Sequence, residues 1–195
     1  MSTAAGANRV TEWWTYSQGL RLRHRLAVLA CDGAEVIAEA GGWLFDRAQA
    51  GWEVAVVLAE VTEVVPLQLL GATVLELEGP LSVPVHHTWP ELLIVAPELL
   101  AADARVRDGV LRCLEYDLLD IVVWDRDLPA EFEPRFLGAH YRLSAAARAF
   151  KARALALGGN PGADVSAPER FRVSSPRMRA LAECFVLDAV AVPEN

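Results

Sequence analysis

The side chains best placed to do chemistry in this chain are acidic, and they recur just after apolar runs. Asp32 follows Leu26–Ala30, Glu60 and Glu63 follow Trp52–Ala59, Glu78 follows Thr73–Leu77, Glu98 follows Glu91–Ala96, and Asp125 and Asp127 follow Asp120–Trp124. If those runs are parallel strands, their carboxyl ends form the crevice in which an open α/β sheet binds ligands. Such an edge suits a divalent cation or an amine. A phosphate needs backbone N–H nests, glycines and basic groups instead. The set Asp32, Glu60, Glu63, Glu98, Asp125 and Asp127 is therefore the candidate ligand-binding edge, with Asp32, Glu60 and Asp125 foremost. Asp125 and Asp127 could also share a face for acid or base work. The competing use of the same residues is to cap helices and solvate the surface.

Other constellations are missing. No GxGxxG follows a strand, and there is no GxxxxGK[ST] and no GxSxG, so no dinucleotide, nucleoside triphosphate or nucleophile-elbow site is written here. No cofactor is expected and no catalytic residue is assigned. Cys31 sits at a strand end beside a helix start, where a thiol pKa is expected to fall, but no histidine lies near it in sequence. Cys31, Cys113 and Cys184 form no CxxC pair and read as buried free thiols. His86 and His87 are adjacent, so on an extended segment they point opposite ways and rarely share one metal. No metal site is expected.

The elements that position the acidic edge follow from local pattern. Leu26–Ala30 is a short apolar run of the kind a buried parallel strand needs. Asp32 can cap the helix that follows, with Glu35 at capping-box spacing. Val36, Ile37, Ala40, Leu44 and Ala48 recur at helical spacing, and Gly51 stands where a left-handed cap is expected. Trp52–Ala59 then makes a right-handed βαβ unit. A short helix over Thr62–Leu70, capped by Thr62, leads to a third strand at Thr73–Leu77. Residues 79–90 hold three prolines and form the longest candidate functional loop. Glu91–Ala96, a helix starting at Ala102 or Asp103, and Asp120–Trp124 repeat the βαβ pattern. Residues 129–141 read as a connector. Ser144 caps a helix running to Gly158, Phe171–Val173 reads as a short strand, a helix is expected around Arg177–Glu183, and an apolar segment at 185–192 closes the chain.

Composition narrows the class. Hydrophobic residues make up 53% of the 195, yet no apolar run reaches the roughly 18–20 residues of a membrane-spanning helix. The first residues lack the pattern of a secretion signal, so a cytoplasmic location is expected. A net charge of −8 argues against a broad nucleic-acid surface. Nucleic-acid binding remains a minor reading through Arg142, Arg148, Lys151, Arg153, Arg170, Arg172, Arg177 and Arg179. Trp13, Trp14 and Tyr16 are an aromatic group in an otherwise loose arm, either an anchor or a partner-docking patch.

Residues Leu29 to Val57 resemble the opening unit of the zinc-dependent sugar de-N-acetylases. That family has a strand, a His-Pro-Asp-Asp-Glu loop, a helix with a Gly-Gly pair, and a Gly-His-Glu-Val entry to the second strand. Gly41-Gly42 and Gly51-Trp52-Glu53-Val54 match the later parts. Aligned on the glycine pair, Asp32-Gly33-Ala34-Glu35-Val36 stands where the metal motif belongs: its histidine is absent, and Ala34 and Glu35 occupy the aspartate positions. No later His-x-x-His follows. The resemblance implies the fold and speaks against zinc deacetylation. The whole chain also resembles, more loosely, small bacterial Rossmann-like proteins, which carry no activity over.

Together these readings predict a single Rossmann-like α/β domain, with a mainly parallel sheet of about five strands and helices on both faces. Residues 1–20 would be an arm, 21–158 the domain, and 159–195 an extension packed on it, adding an edge strand or a hairpin. The main functional expectation is a catalytically silent module that binds a protein partner, with a homodimer as one option. The alternative is a small-molecule enzyme or sensor using the acidic edge for a sugar or nucleotide-sugar type ligand.

Overall fold

The computed structural model describes residues 24–79, 90–174 and 185–187. The arm with Trp13, Trp14 and Tyr16, the His86-His87 loop, Cys184 and the expected helix around Arg177–Glu183 lie outside the described residues.

Among those described, eight strands form one mixed sheet, served by five α-helices. The strands are β1 (Arg25–Ala30), β2 (Glu53–Leu58), β3 (Ala72–Glu76), β4 (Leu92–Val95), β5 (Asp120–Trp124), β6 (Leu137–Tyr141), β7 (Glu169–Val173) and β8 (Val186–Leu187), in the order β3-β2-β1-β4-β5-β7-β6-β8. The first five are parallel. The other three pair antiparallel. The sheet is thus larger and less parallel than expected. Residues 129–141, read as a connector, contain β6; of the 159–195 extension, expected to add an edge strand or a hairpin, β8 takes the edge while β7 lies between β5 and β6. Local pattern misses β6 because Leu137–Tyr141 includes a glycine and a histidine, and pairing with β7 supplies what propensity does not.

The helices are α1 (Gly33–Gln49), α2 (Val64–Leu69), α3 (Pro97–Ala102), α4 (Ala104–Glu115) and α5 (Ala145–Leu157). Helix α1 packs with α2 and α5, and α3 packs with α4. Every residue of β4 is buried, which requires cover on both faces and explains an unbroken apolar run. Asp32 caps α1 by accepting the Glu35 N–H at 2.9 Å, Asp103 caps α4, Ser144 caps α5 through the Ala147 N–H at 3.0 Å, and Gly51 takes the left-handed conformation at φ 88°. One expected cap fails. Glu63, with φ 51°, stands at the N-cap of α2 and makes no side-chain cap bond. The Thr62 hydroxyl instead accepts the Gly33 N–H at 3.0 Å, because the loop after β2 closes directly onto the start of α1.

The core is continuous across the parallel and antiparallel parts of the sheet. Trp43 of α1 meets Phe171 of β7 at a ring separation of 5.4 Å and Phe185 at 5.0 Å, edge to face. Phe171 also touches Trp124 at the end of β5. Aromatic pairs in these geometries each add about 0.5–1.5 kcal/mol beyond area burial.

Candidate active site

Strands β1 and β4 are neighbours whose chains leave in opposite directions, β1 through α1 toward β2, and β4 through α3 and α4 toward β5. This is the topological switch point, where ligands of open α/β sheets bind. The residues that follow these strands are Cys31-Asp32, and Ala96-Pro97-Glu98.

Glu35, on the first turn of α1, reaches across this crevice. Its Oε1 accepts the Trp124 indole N–H at 2.8 Å, and its carboxyl lies beside that of Glu98. Burial and the neighbouring Glu98 carboxyl push the Glu35 pKa up to about 7, while Trp124 and Arg126 hold it back. Glu98 also loses solvation, but the hydrogen bond from Arg126 and the neighbouring Glu35 carboxyl outweigh this and leave its pKa below the usual value. Of the two neighbouring carboxyl groups, Glu35 is thus the one that keeps its proton toward neutral pH, and Glu98 the one that ionises. Arg126, just past β5, donates to Glu98 Oε1 at 2.7 Å and bonds Glu39 through its other nitrogen.

Beside the pair lies an open cleft of about 850 Å³, lined by Glu98, Arg107, Arg126, Asp127, Leu128 and Glu131 together with Pro97, Ala101 and Pro129. Its size is that of a small-molecule site, typically about 300–1,000 Å³.

The expected edge residues divide. Glu98 and Asp127 line the cleft. Asp32, Glu60, Glu35 and Glu98 all lie close enough to Cys31 to raise its thiol pKa, after burial, which is the largest cause. The expectation of a lowered thiol pKa is thus overturned: burial, and after it the carboxylates around Cys31, outweigh its place beside a helix start. Asp32 is engaged as the α1 cap. Asp125 accepts from Arg172 Nε at 3.0 Å. Glu63 turns toward the end of α5, its Oε2 within 3.1 Å of where a Cβ on Gly158 would stand. Glu78 is gripped by both terminal nitrogens of Arg105, at 3.2 and 2.8 Å. Glu35 carried a signal in sequence as half of a capping box and as the residue at an aspartate position of the resembled family's metal motif. Its partner Trp124 ends a strand and gave none.

The minor nucleic-acid reading loses residues. Lys151 is buried at 6% exposure and paired with Glu169 at 2.7 Å, and Arg172 is occupied by Asp125 and Glu133. Neither offers a phosphate contact.

The zinc of the sugar de-N-acetylases does not fit the described residues. No three of His, Cys, Asp and Glu converge among them. His24 lies at the opposite, amino end of β1, bonded to Glu91 at 2.8 Å and stacked on Trp52. At the position of the metal motif, Glu35 Oε1 accepts the Trp124 indole N–H. No helix among the described residues is long and apolar enough to cross a membrane.

Solved structures that share this fold include two deacetylases. The A40926 pseudoaglycone deacetylase Dbv21 superposes with a TM-score of 0.54 at 12% identity, over 78% of this chain and 97% of its own. A triple mutant of a deacetylase from the teicoplanin biosynthetic pathway gives a TM-score of 0.52 at 12% identity, over 85% and 99%. No protein-family model matches the chain, and no curated protein matches it. The likeness establishes the fold that the glycine pair and the β2 entry suggested. It also corrects the main functional expectation of a catalytically silent, protein-binding module: both of these structures are deacetylases.

Proposed function

We propose that the chain is a small-molecule enzyme working by proton transfer at the carboxyl edge of its sheet, on a sugar-bearing ligand in the cleft beside Glu98. The observation that carries this reading is the Glu35 carboxyl, held by Trp124 at the switch point and pushed up to a pKa of about 7 by burial and by Glu98 on the cleft wall. A group poised near neutrality is what general acid–base catalysis needs. Glu98 is the ionised member and faces the cleft, so it takes a proton from the attacking water and returns it to the leaving amine or hydroxyl of the sugar, while Glu35 behind it keeps the pair's other proton throughout. Asp127 and Glu131, on the same wall, accept hydrogen bonds from ligand hydroxyls. The fold shared with two deacetylases makes hydrolysis of an acylated sugar the first reaction to try.

The test is turnover of acylated sugars by the purified protein and by Glu35→Gln and Glu98→Gln. Each substitution should lower kcat about 10²- to 10⁴-fold. Full activity in both variants would sink the reading.

A further inference from the structure

We infer that the ligand of the cleft carries a single anionic group, a carboxylate or a phosphate, and that Arg107 holds it. The inference rests on the reading of the cleft as a small-molecule site and names the class of molecule it takes.

The wall carries two arginines, and they are used differently. Arg126 is consumed, bonded to Glu98 at one nitrogen and to Glu39 at another. Arg107, in the second turn of α4, lines the same cleft half-buried, and its guanidinium has no hydrogen-bond or ion-pair partner among the described residues. Its neighbour Arg105, two residues earlier, is fully engaged by Asp103 and Glu78. The local acidic groups thus neutralise Arg105 and Arg126 and leave Arg107 facing the cleft.

The rest of the wall sets what that charge can take. Pro97, Ala101, Leu128 and Pro129 are apolar and thin the water around the guanidinium, which strengthens a bidentate contact to a carboxylate or phosphate. Asp127, Glu131 and Glu98 on the same wall repel a ligand with several negative charges, and accept hydroxyl donors. One anionic group together with several hydroxyls describes a sugar acid or a sugar monophosphate. A cleft of about 850 Å³ holds either.

Calorimetric titration of the full chain tests this, with glucuronate, glucose 6-phosphate, glucose and the methyl ester of glucuronate as probes. One anionic probe should bind at least about tenfold tighter than its neutral counterpart, the contribution of one charge-assisted contact. Whichever of glucuronate and glucose 6-phosphate wins identifies the group as carboxylate or phosphate. Arg107→Gln should remove the preference, Arg107→Lys should retain part of it, and thermal midpoints should report folded variants throughout. Glu35→Gln should leave the preference intact. Equal binding of anionic and neutral probes, or a preference that survives Arg107→Gln, would overturn the role of Arg107 while leaving the Glu35–Glu98 chemistry to its own pH and turnover tests. Binding of no probe, neutral or anionic, would overturn the sugar-anion inference outright.

Discussion

Trp124 Nε1 donates a 2.8 Å hydrogen bond to Glu35 Oε1, and this bond ties the carboxyl end of β5 to the first turn of α1 across the switch point of the sheet. The indole is fully buried, so its N–H needs a partner inside the protein, and Glu35 is that partner. The same bond opposes the rise in the Glu35 pKa. Packing and chemistry meet at one contact. Trp124→Phe should therefore cost about 1–3 kcal/mol, measured by urea denaturation, because it leaves a half-buried carboxyl without a donor. It should also shift the Glu35 titration to higher pH, read from the pH–rate profile.

Stability should fall as pH rises from about 4.5 through about 7. Glu35 has a folded pKa of about 7 against an ordinary value of 4.5, so between those values the native state binds the proton and the unfolded chain does not. The stabilisation is complete below about pH 4.5 and is lost as pH rises through about 7. Because Glu35 is only half-buried, solvent screens part of the effect, and about 1–2 kcal/mol is lost across the window. Glu35→Gln should flatten this part of the stability–pH curve. An unchanged slope in that variant would show that another group titrates.

The pair Lys151–Glu169 should behave as a buried pin. Glu169 accepts the Gly42 and Trp43 N–H groups in the middle of α1, at 2.8 and 2.9 Å, while Lys151 Nζ donates to the Ala38 carbonyl at 2.6 Å and to Glu169 at 2.7 Å. The ion pair is thereby inserted into the hydrogen-bond ladder of α1 and links it to α5 and β7. Lys151→Met, which strands the carboxylate, should cost about 3–5 kcal/mol by chemical denaturation. Lys151→Met combined with Glu169→Leu should recover part of that loss.

The glycine pair should prove unequal. A Cβ on Gly42 would stand 2.2 Å from Leu143 Cδ2 and 3.1 Å from Glu169 Oε1, whereas one on Gly41 would meet Leu70 Cδ1, the end of a flexible side chain, at 3.2 Å. Gly42→Ala should destabilise by about 1–3 kcal/mol through overpacking, and Gly41→Ala should be nearly neutral or gain slightly from helix propensity. Thermal midpoints of the two variants separate these outcomes.

Arg126→Ala should spare the fold and harm the site. The Arg126 side chain is 45% exposed and its partners Glu39 and Glu98 are 27% and 44% exposed, so the stability cost should stay near about 0–1 kcal/mol. Its charge helps to hold the Glu35 and Glu98 pKa values down, so both should rise, moving the acid limb of the pH–rate profile upward.

The parallel half of the sheet was legible in the residues themselves. Apolar runs at β1, β2, β4 and β5, the caps at Asp32 and Ser144, and Gly51 past the end of α1 are local signals, because burial on both faces and helix ends demand particular residue types over a few positions. The candidate edge was legible to the same degree: strand ends follow from strands, which placed Glu98 and Asp127 at the carboxyl edge. Only the tertiary structure decided the rest. Glu35 and Trp124 are 89 positions apart, and nothing within a turn of either residue marks the other as a partner. Its elevated pKa arises from burial against Glu98, and a single residue's surroundings are set by strand order. The antiparallel strands β6 and β7 pair with each other and with β5 through contacts distant in sequence, and the burial of Lys151 depends on Glu169 arriving from β7. Local pattern records what a residue needs from its own element; which charged groups share a crevice is determined by how the elements are ordered in the sheet.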